Sequence, residues 1–375
     1  MPDSQPLRVA FDATSLLGRR TGIGHVTAAM LATLNEDPTL DLEAFAVTWR
    51  GRRDLPTEVP PGVRASPRAF PARLTRLLWP RIGRPRAEYW TGPVDLVHAT
   101  NYVAPPSRAP VLVTVHDLTF LHFPEMCTAD TLTYPTHLRR AIDAGATIHS
   151  STHYVVDEIR AEFGLGPDRV GQVYYGLEAV ELGDPARGRA HAGAERYLIT
   201  LSTIEPRKNL PALVRAFDAL AAEEPDLHLV MVGPDGWGVE AFQTELDAAH
   251  HGDRIHRIGY VSRSERADLL AGATALAYPS IYEGFGLPPL EAMQSGIPVV
   301  AADCGPLPEV LGDAALLPDP LDDDSIADAL RRVVNDAELR KTLVARGTEC
   351  VGRYTWERAG PEFAALYRRV AGRPS

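Results

Sequence analysis

The sequence predicts an α/β protein of two Rossmann-like domains, each built on a parallel sheet, and three observations lead there. At 375 residues the chain is long for one domain and divides naturally into two of ordinary size. Apolar runs of strand length alternate with stretches of helical period, the order that parallel sheets require. The succession of strand, turn and helix that opens the chain restarts near residue 197. It does so after a stretch at 177–194 that holds Gly183, Pro185, Gly188 and Gly193 and reads as a domain boundary.

Composition narrows the function classes. Hydrophobic residues make up 45% and charged residues 23%, the mixture of a soluble globular protein with a full core, which sets disorder and coiled coil aside. A net charge of −11 repels nucleic-acid phosphates, so a nucleic-acid partner is not expected, although a local basic site stays open. Cys127, Cys304 and Cys350 are far apart and lack metal-ligand spacing, so reduced, structural thiols are expected. Residues 1–6 lack the basic-then-apolar order of a signal peptide, and no apolar run nears the roughly 18 residues of a membrane span. A cytoplasmic protein is the expectation. Lysine occurs only at Lys208 and Lys341, arginine supplying every other cationic side chain, which singles these two out for roles arginine cannot fill.

Taken in order, Arg8-Val9-Ala10-Phe11-Asp12 is the first strand, and Gly18-Arg19-Arg20-Thr21-Gly22-Ile23-Gly24 a flexible loop leading into a helix over about residues 25–34. This opening fits any Rossmann-like start, and Thr27 holds the place of the third glycine of Gly-x-Gly-x-x-Gly. Residues 42–48 form the second strand. Residues 49–92 are rich in Arg and Pro with little period, and within them the segment 68–86, with Leu74, Leu77, Leu78 and Trp79, can form a basic amphipathic face suited to a lipid surface. A loop and helix with solvated arginines is the plainer and preferred reading. Asp95-Leu96-Val97-His98 and Val111-Leu112-Val113-Thr114-Val115-His116 are short buried strands ending on histidines. His116 then sits at a strand's carboxyl end, where open sheets bind ligands, and either donates to a sugar hydroxyl or is a satisfied structural histidine. His98 and His122 read as structural. Residues 147–151 are a further strand before a helix through Val155 and Ile159, and residues 170–175 precede Gly176.

The second half opens on Tyr197-Leu198-Ile199-Thr200-Leu201, runs through Ser202-Thr203-Ile204-Glu205-Pro206-Arg207-Lys208-Asn209, and enters a helix with Leu213, Val214, Phe217 and Leu220 on its apolar face. Adjacent cations at a strand-to-helix turn are placed to hold a diphosphate, arginine in bidentate fashion and lysine as a point charge. Residues 227–232 are a strand ending at the Gly233-Pro234 turn; residues 255–261 are the next strand and its exit; residues 264–270 are helical. Asp322-Asp323-Asp324 precedes a segment of helical period, so an acidic first turn explains it and no metal is expected.

Two glutamates with seven residues between them define a further strand-to-helix turn, Glu283-Gly284-Phe285-Gly286-Leu287-Pro288-Pro289-Leu290-Glu291, which follows the strand-length run 273–278 and precedes a strand at 297–301 and a short helix opening at 305–310. Gly284 and Gly286 let the backbone bend, Pro288 and Pro289 suit a helix's first turn, and Gly296 ends it. Glu283 is therefore on a loop and Glu291 just inside a helix, near N–H groups that favour an anion. Carboxylates beside an anion site accept from sugar hydroxyls, or Glu291 merely complements the helix dipole.

This turn, with Glu-Ala-Met and Gly-Ile-Pro-Val-Val after it and Glu-Pro-Arg-Lys-Asn and Thr-Val-His-Asp-Leu before it, resembles the signature of retaining nucleotide-sugar glycosyltransferases of the two-domain GT-B fold, family 4. The likeness runs from Phe11 to about Tyr367 and leans to bacterial polysaccharide mannosyltransferases. It implies two Rossmann-like domains facing across a cleft: residues 1–178 binding the acceptor, 179–355 binding the nucleotide sugar, and 356–375 a terminal helix crossing back to the first. It implies that Gly22, Ile23 and Gly24 approach the donor diphosphate through their backbone, and that His116 contacts the sugar. Arg207, Lys208 and the turn Gly284, Phe285, Gly286 and Leu287 would stabilise the leaving diphosphate. Glu283 would accept from hexose hydroxyls and Glu291 from the ribose, with Gly233, Tyr260 and Val261 bordering the nucleotide.

The expected reaction is transfer of a hexose with retention, best matched by mannose from GDP-mannose, with no cofactor or metal and the donor phosphate itself receiving the acceptor proton. UDP, dTDP or ADP sugars fit the same chemistry. A glycan, a lipid-linked sugar and a small molecule all fit as acceptor, its contacts falling on residues 49–92 and 121–134, and contact with the inner membrane face is compatible with the basic segment. The rivals are an epimerase using Asp12 or Asp117, a phosphorylase needing a Schiff-base lysine, a nicotinamide oxidoreductase, and a catalytically inactive nucleotide-sugar-binding partner protein.

Overall fold

Val9, Ala10 and Phe11 are fully buried, as a parallel strand covered on both faces by helices must be. The computed structural model describes residues 5–373 except 19, 21, 50 and 52; residues 1–4, Arg19 and Thr21, named above, lie outside the described set. The chain forms two compact units, one running to Glu178 and resuming at Tyr354, the other spanning Ala179–Arg353.

The first unit's strands are β1 (Leu7–Asp12), β2 (Leu40–Phe45), β3 (Arg64–Ala65), β4 (Leu96–Ala99), β5 (Val111–Thr114), β6 (Thr147–Ser150) and β7 (Val170–Gln172). They form one parallel sheet in the order β3-β2-β1-β4-β5-β6-β7. The second unit holds β8 (Arg196–Leu201), β9 (Leu227–Val232), β10 (Ile255–Gly259), β11 (Ala275–Tyr278), β12 (Val299–Ala301) and β13 (Ala315–Leu316), parallel in the order β10-β9-β8-β11-β12-β13. In each sheet the order reverses beside the unit's first strand, between β1 and β4 and between β8 and β11. Ligands of open α/β sheets bind at that switch point, beyond the strands' carboxyl ends. Two parallel sheets, with helices in nearly every connection between strands, are the α/β architecture that the sequence predicts.

The terminal helix Trp356–Val370 belongs to the first unit and buries Phe363 and Tyr367 there. The Tyr367 hydroxyl lies 2.6 Å from His98 Nδ1, and His98 Nε2 lies 2.8 Å from Thr114 Oγ1. Thr114 Oγ1 is 3.0 Å from His149 Nδ1, whose Nε2 is 3.1 Å from the Val173 carbonyl. A carbonyl only accepts, so His149 carries its proton on Nε2. The other donors follow in turn: Thr114 to His149, His98 to Thr114, Tyr367 to His98. Burial pushes both imidazoles down, His149 to about 3 and His98 well below its usual value, His98 being lowered further by its histidine neighbours. His98 is structural, as its sequence suggests.

Several expectations need adjustment. The helix expected from residue 25 starts three residues earlier, at Gly22, and runs to Asn35. The boundary stretch 177–194 is not all linker: Pro185–Ala192 is a helix whose N-cap Asp184 accepts from the Ala186 and Arg187 amides, with Gly193 left-handed after it. It lies so close to the helix Arg263–Gly272 that a Cβ on Gly188 would stand 1.9 Å from the Asp268 carbonyl oxygen. Within the arginine-rich segment, Ala72–Ile82 is a helix that exposes Leu74, Leu77 and Ile82, whereas Trp79 is buried and its Nε1 donates to the Pro85 carbonyl at 2.9 Å. Among the described residues no helix is long and apolar enough to cross a membrane. Asp322 caps the helix Asp323–Asn335, and Asp323 pairs with Arg215 at 2.6 Å, so both carboxylates have structural work there.

Candidate active site

The strands flanking the second switch point, β8 and β11, each end in a turn that carries functional side chains. Beyond β8, Pro206–Lys208 makes a tight 3-10 turn, and Asn209 takes the left-handed conformation that launches the helix Leu210–Ala221. Asparagine tolerates this backbone, and its Nδ2 donates to the Pro320 carbonyl at 2.7 Å. Beyond β11, residues 279–286 lead to the helix Leu287–Gln294, with Gly286 left-handed (φ +95°) and a Cβ there only 2.5 Å from Leu307 Cδ2. The Ile281 amide donates to the Arg207 carbonyl at 2.9 Å and ties the two turns together.

A closed polar cluster results. Glu283 is 6% exposed; its Oε1 accepts from Lys208 Nζ at 2.6 Å and from the Tyr278 hydroxyl at 2.8 Å, while Oε2 accepts from Arg207 Nη1 at 3.0 Å. Lys208 Nζ lies 2.8 Å from the Tyr278 hydroxyl. Arg207 also donates from Nη2 to Glu205 Oε1 at 2.9 Å and from Nη1 to the Tyr282 carbonyl at 3.1 Å. Burial works to raise the Glu283 carboxyl, but Lys208 and Arg207 outweigh it and hold it at about 2. Burial and the neighbouring Arg207 pull the Lys208 ammonium down, Glu283 opposing them, and burial with Glu283 pushes the Tyr278 hydroxyl well up. Two cations thus face two carboxylates, an arrangement able to receive an anion on the cations and hydroxyl donors on the carboxylates.

Beside the cluster, a cavity of about 400 Å³ opens at the carboxyl ends of β8, β9 and β10, lined by Thr200, Ser202, Gly233, Asp235, Ile258 and Gly259 among others. A Cβ on Gly233 would stand 1.9 Å from the Ser202 carbonyl oxygen, so only glycine lets β9 leave the sheet there. The Thr200 and Ser202 hydroxyls are buried with no hydrogen-bond partner among the described residues. Tyr260, 64% exposed, and Val261 carry the chain on from the rim at Gly259 to the capping box of Ser262 and Glu265 that opens the helix Arg263–Gly272. Glu291 Oε2 lies 3.1 Å from Arg266 Nη1 on that helix.

The first unit holds the remaining candidates. His116 follows β5; its Nε2 is 3.0 Å from the Thr100 carbonyl and therefore carries the proton, and its Nδ1 accepts from the Tyr175 hydroxyl at 2.9 Å. Burial lowers it to about 4, so it is neutral at physiological pH. Both ring nitrogens are engaged, so hydrogen bonding to a ligand requires it to exchange a partner. Gly22, Ile23 and Gly24 form the first turn of the helix Gly22–Asn35, where backbone N–H groups have no intrahelical acceptor. A Cβ on Gly24 would stand 2.7 Å from the Ser15 carbonyl oxygen.

The structure therefore brings together Arg207, Lys208 and Glu283 with the turn Gly284, Phe285, Gly286 and Leu287. Gly233, Tyr260 and Val261 lie at the neighbouring cavity or just beyond it, Glu291 pairs with Arg266, and His116 with Gly22–Gly24 belongs to the other unit. Sequence reasoning passed over Glu205 and Tyr278 as members of the cluster. A carboxylate two residues before Arg207 was visible, but Tyr278 stood within an apolar run and its hydroxyl gave no signal.

Known proteins resemble this chain in sequence and in fold. Residues 187–349 match the family model of glycosyl transferases group 1. The chain is 28% identical over 299 residues to O-antigen chain mannosyltransferase B of Escherichia coli, an alignment covering 77% of this chain and 78% of that one. It is 30% identical over 255 residues to the D-inositol 3-phosphate glycosyltransferase of a Nocardioides species, covering 62% of this chain and 55% of that one. Among solved structures, HepE of Anabaena, in complex with UDP and glucose, superposes with a TM-score of 0.76 at 17% identity, over 96% of this chain and 99% of that one. Over residues 187–349, within its second unit, the chain is therefore similar to the glycosyl transferases group 1.

Proposed function

We propose that the protein transfers a hexose from a nucleoside diphosphate sugar to an acceptor hydroxyl with retention at the anomeric carbon. The observation that carries this reading is the buried cluster of Arg207, Lys208 and Glu283 at the switch point between β8 and β11. In it, Arg207 and Lys208 take the diphosphate and stabilise the charge that develops as it leaves, so the chemistry needs no metal ion. Glu283 accepts from the hexose hydroxyls. The turn from Gly284 to Leu287 supplies backbone donors, the cavity bounded by Gly233 and Gly259 receives the nucleoside beside Tyr260 and Val261, and Glu291 turns from Arg266 to the ribose. From the first unit, Gly22, Ile23 and Gly24 offer backbone N–H groups and His116 serves the sugar. The family resemblance supports a same-face route in which the donor phosphate takes the acceptor proton.

Mannose from GDP-mannose is the preferred donor, supported by the 28% identity to an O-antigen chain mannosyltransferase. The acceptor is a glycan, a lipid-linked sugar or a small glycoside. A thermal-shift titration with GDP, UDP, dTDP and ADP tests the reading, because a ligand of the folded state raises apparent stability with its concentration. Stabilisation by GDP alone, lost in Glu291→Ala, is the expected result. Stabilisation by another nucleotide instead keeps the transferase and discards mannose, and no response to any of the four overturns donor binding.

A further inference from the structure

Glu205 is a buried carboxylate, 8% exposed, to which the proposed reaction assigns no part. Its Oε1 lies 2.9 Å from Arg207 Nη2, the guanidinium on which that reaction relies for the diphosphate. A neutral glutamine would offer arginine the same hydrogen bond without the cost of burying a charge, so a full negative charge here calls for a reason. Counting charges supplies one. Glu205 and Glu283 together cancel Arg207 and Lys208, and Glu283 spans both cations at 2.6 and 3.0 Å. A diphosphate reaching these cations meets a site already neutralised.

We infer that Glu205 is a built-in counter-ion that competes with the diphosphate for Arg207, limiting affinity for the nucleoside diphosphate product and so hastening its release. The inference rests on the reading that Arg207 and Lys208 bind a diphosphate. A guanidinium can pass from a carboxylate to a diphosphate, since two oxygens of either group satisfy the same fork of donors. Glu205 is thereby a positioning residue whose charge opposes the ligand. That gives it a signature opposite in sign to simple scaffolding.

The experiment compares wild type with Glu205→Gln, which keeps an acceptor for Arg207, and with Glu205→Ala, both checked for cooperative thermal unfolding. Isothermal titration with GDP, UDP, dTDP, ADP and inorganic pyrophosphate gives Kd, and stopped-flow displacement gives the off-rate. For whichever probe wild type binds, removing a unit charge a few ångströms away is expected to tighten Kd on the order of tenfold or more, chiefly by slowing release. Tightening in both variants supports the inference. Unchanged or weaker binding in Glu205→Gln overturns it and makes Glu205 a scaffold for Arg207. Should wild type bind none of the five probes while remaining folded, the diphosphate reading itself fails, an outcome distinct from the other two.

Discussion

Lys208 shows why arginine is not a substitute everywhere in a chain that otherwise uses it so widely. Its Nζ sits 2.6 Å from Glu283 Oε1 and 2.8 Å from the Tyr278 hydroxyl, at 9% exposure, in a space shaped for one compact ammonium rather than a planar fork. Lys208→Ala leaves Glu283 still held by Arg207 and Tyr278. It is therefore expected to cost about 1–3 kcal/mol in urea unfolding, while turnover of the donor found by titration drops by about a hundredfold or more. Lys208→Arg is expected to lose turnover to a similar degree. An unchanged rate in the alanine variant removes Lys208 from the reaction.

At the scale of elements, the second unit depends on a close approach between two helices. Pro185–Ala192 meets Arg263–Gly272 through Gly188, and Asp268 accepts from the Asp184 amide at 2.7 Å and from Arg187 Nε at 2.8 Å. Because the atom that a Gly188 Cβ would strike is backbone, Asp268 O at 1.9 Å, relief requires the helices to separate. Gly188→Ala is expected to destabilise the protein by about 1–3 kcal/mol. Gly193→Ala, where φ is +66° and the space is open, pays only the left-handed backbone, about 1 kcal/mol. Urea unfolding of both variants checks the order, and equal losses contradict the packing argument. In the sequence alone Gly183, Pro185, Gly188 and Gly193 resemble a linker, because the helix that packs against this stretch is far along the chain.

Over the whole molecule, acid sensitivity follows from the first unit's buried histidines. His116 and His149 sit at about 4 and 3 against 6.5, and His98 is well below 6.5, so below pH 6.5 the unfolded chain binds protons that the folded chain refuses. Their contribution is fully present above pH 6.5 and is lost as pH falls toward 4. Asp12 acts oppositely: burial raises it from 3.8 to about 6, so the folded state binds its proton first and gains stability as pH falls through that window. Near pH 5 the balance is three protons against one, a loss of about 3 kcal/mol per pH unit. Chemical unfolding between pH 7 and 4.5 is expected to show a slope that steepens to that value near pH 5, reduced by about half in His149→Gln. A flat profile would mean that the histidines are not held neutral.

What the sequence determined by itself is what local order can encode. Strand-length runs and helical period specify a parallel α/β chain, and Arg207-Lys208 and Glu283 to Glu291 announce two turns with opposite charges. Only the tertiary structure decided that Lys208 and Glu283, 75 residues apart, meet across the switch point and draw in Tyr278 and Glu205. It alone also placed Tyr367 on His98, 269 positions away, and both nitrogens of His116 on Tyr175 and Thr100. The reason is physical. Period and capping act within a few residues of chain, whereas these contacts depend on which strands lie side by side, and strand order is set by the packing of the whole sheet.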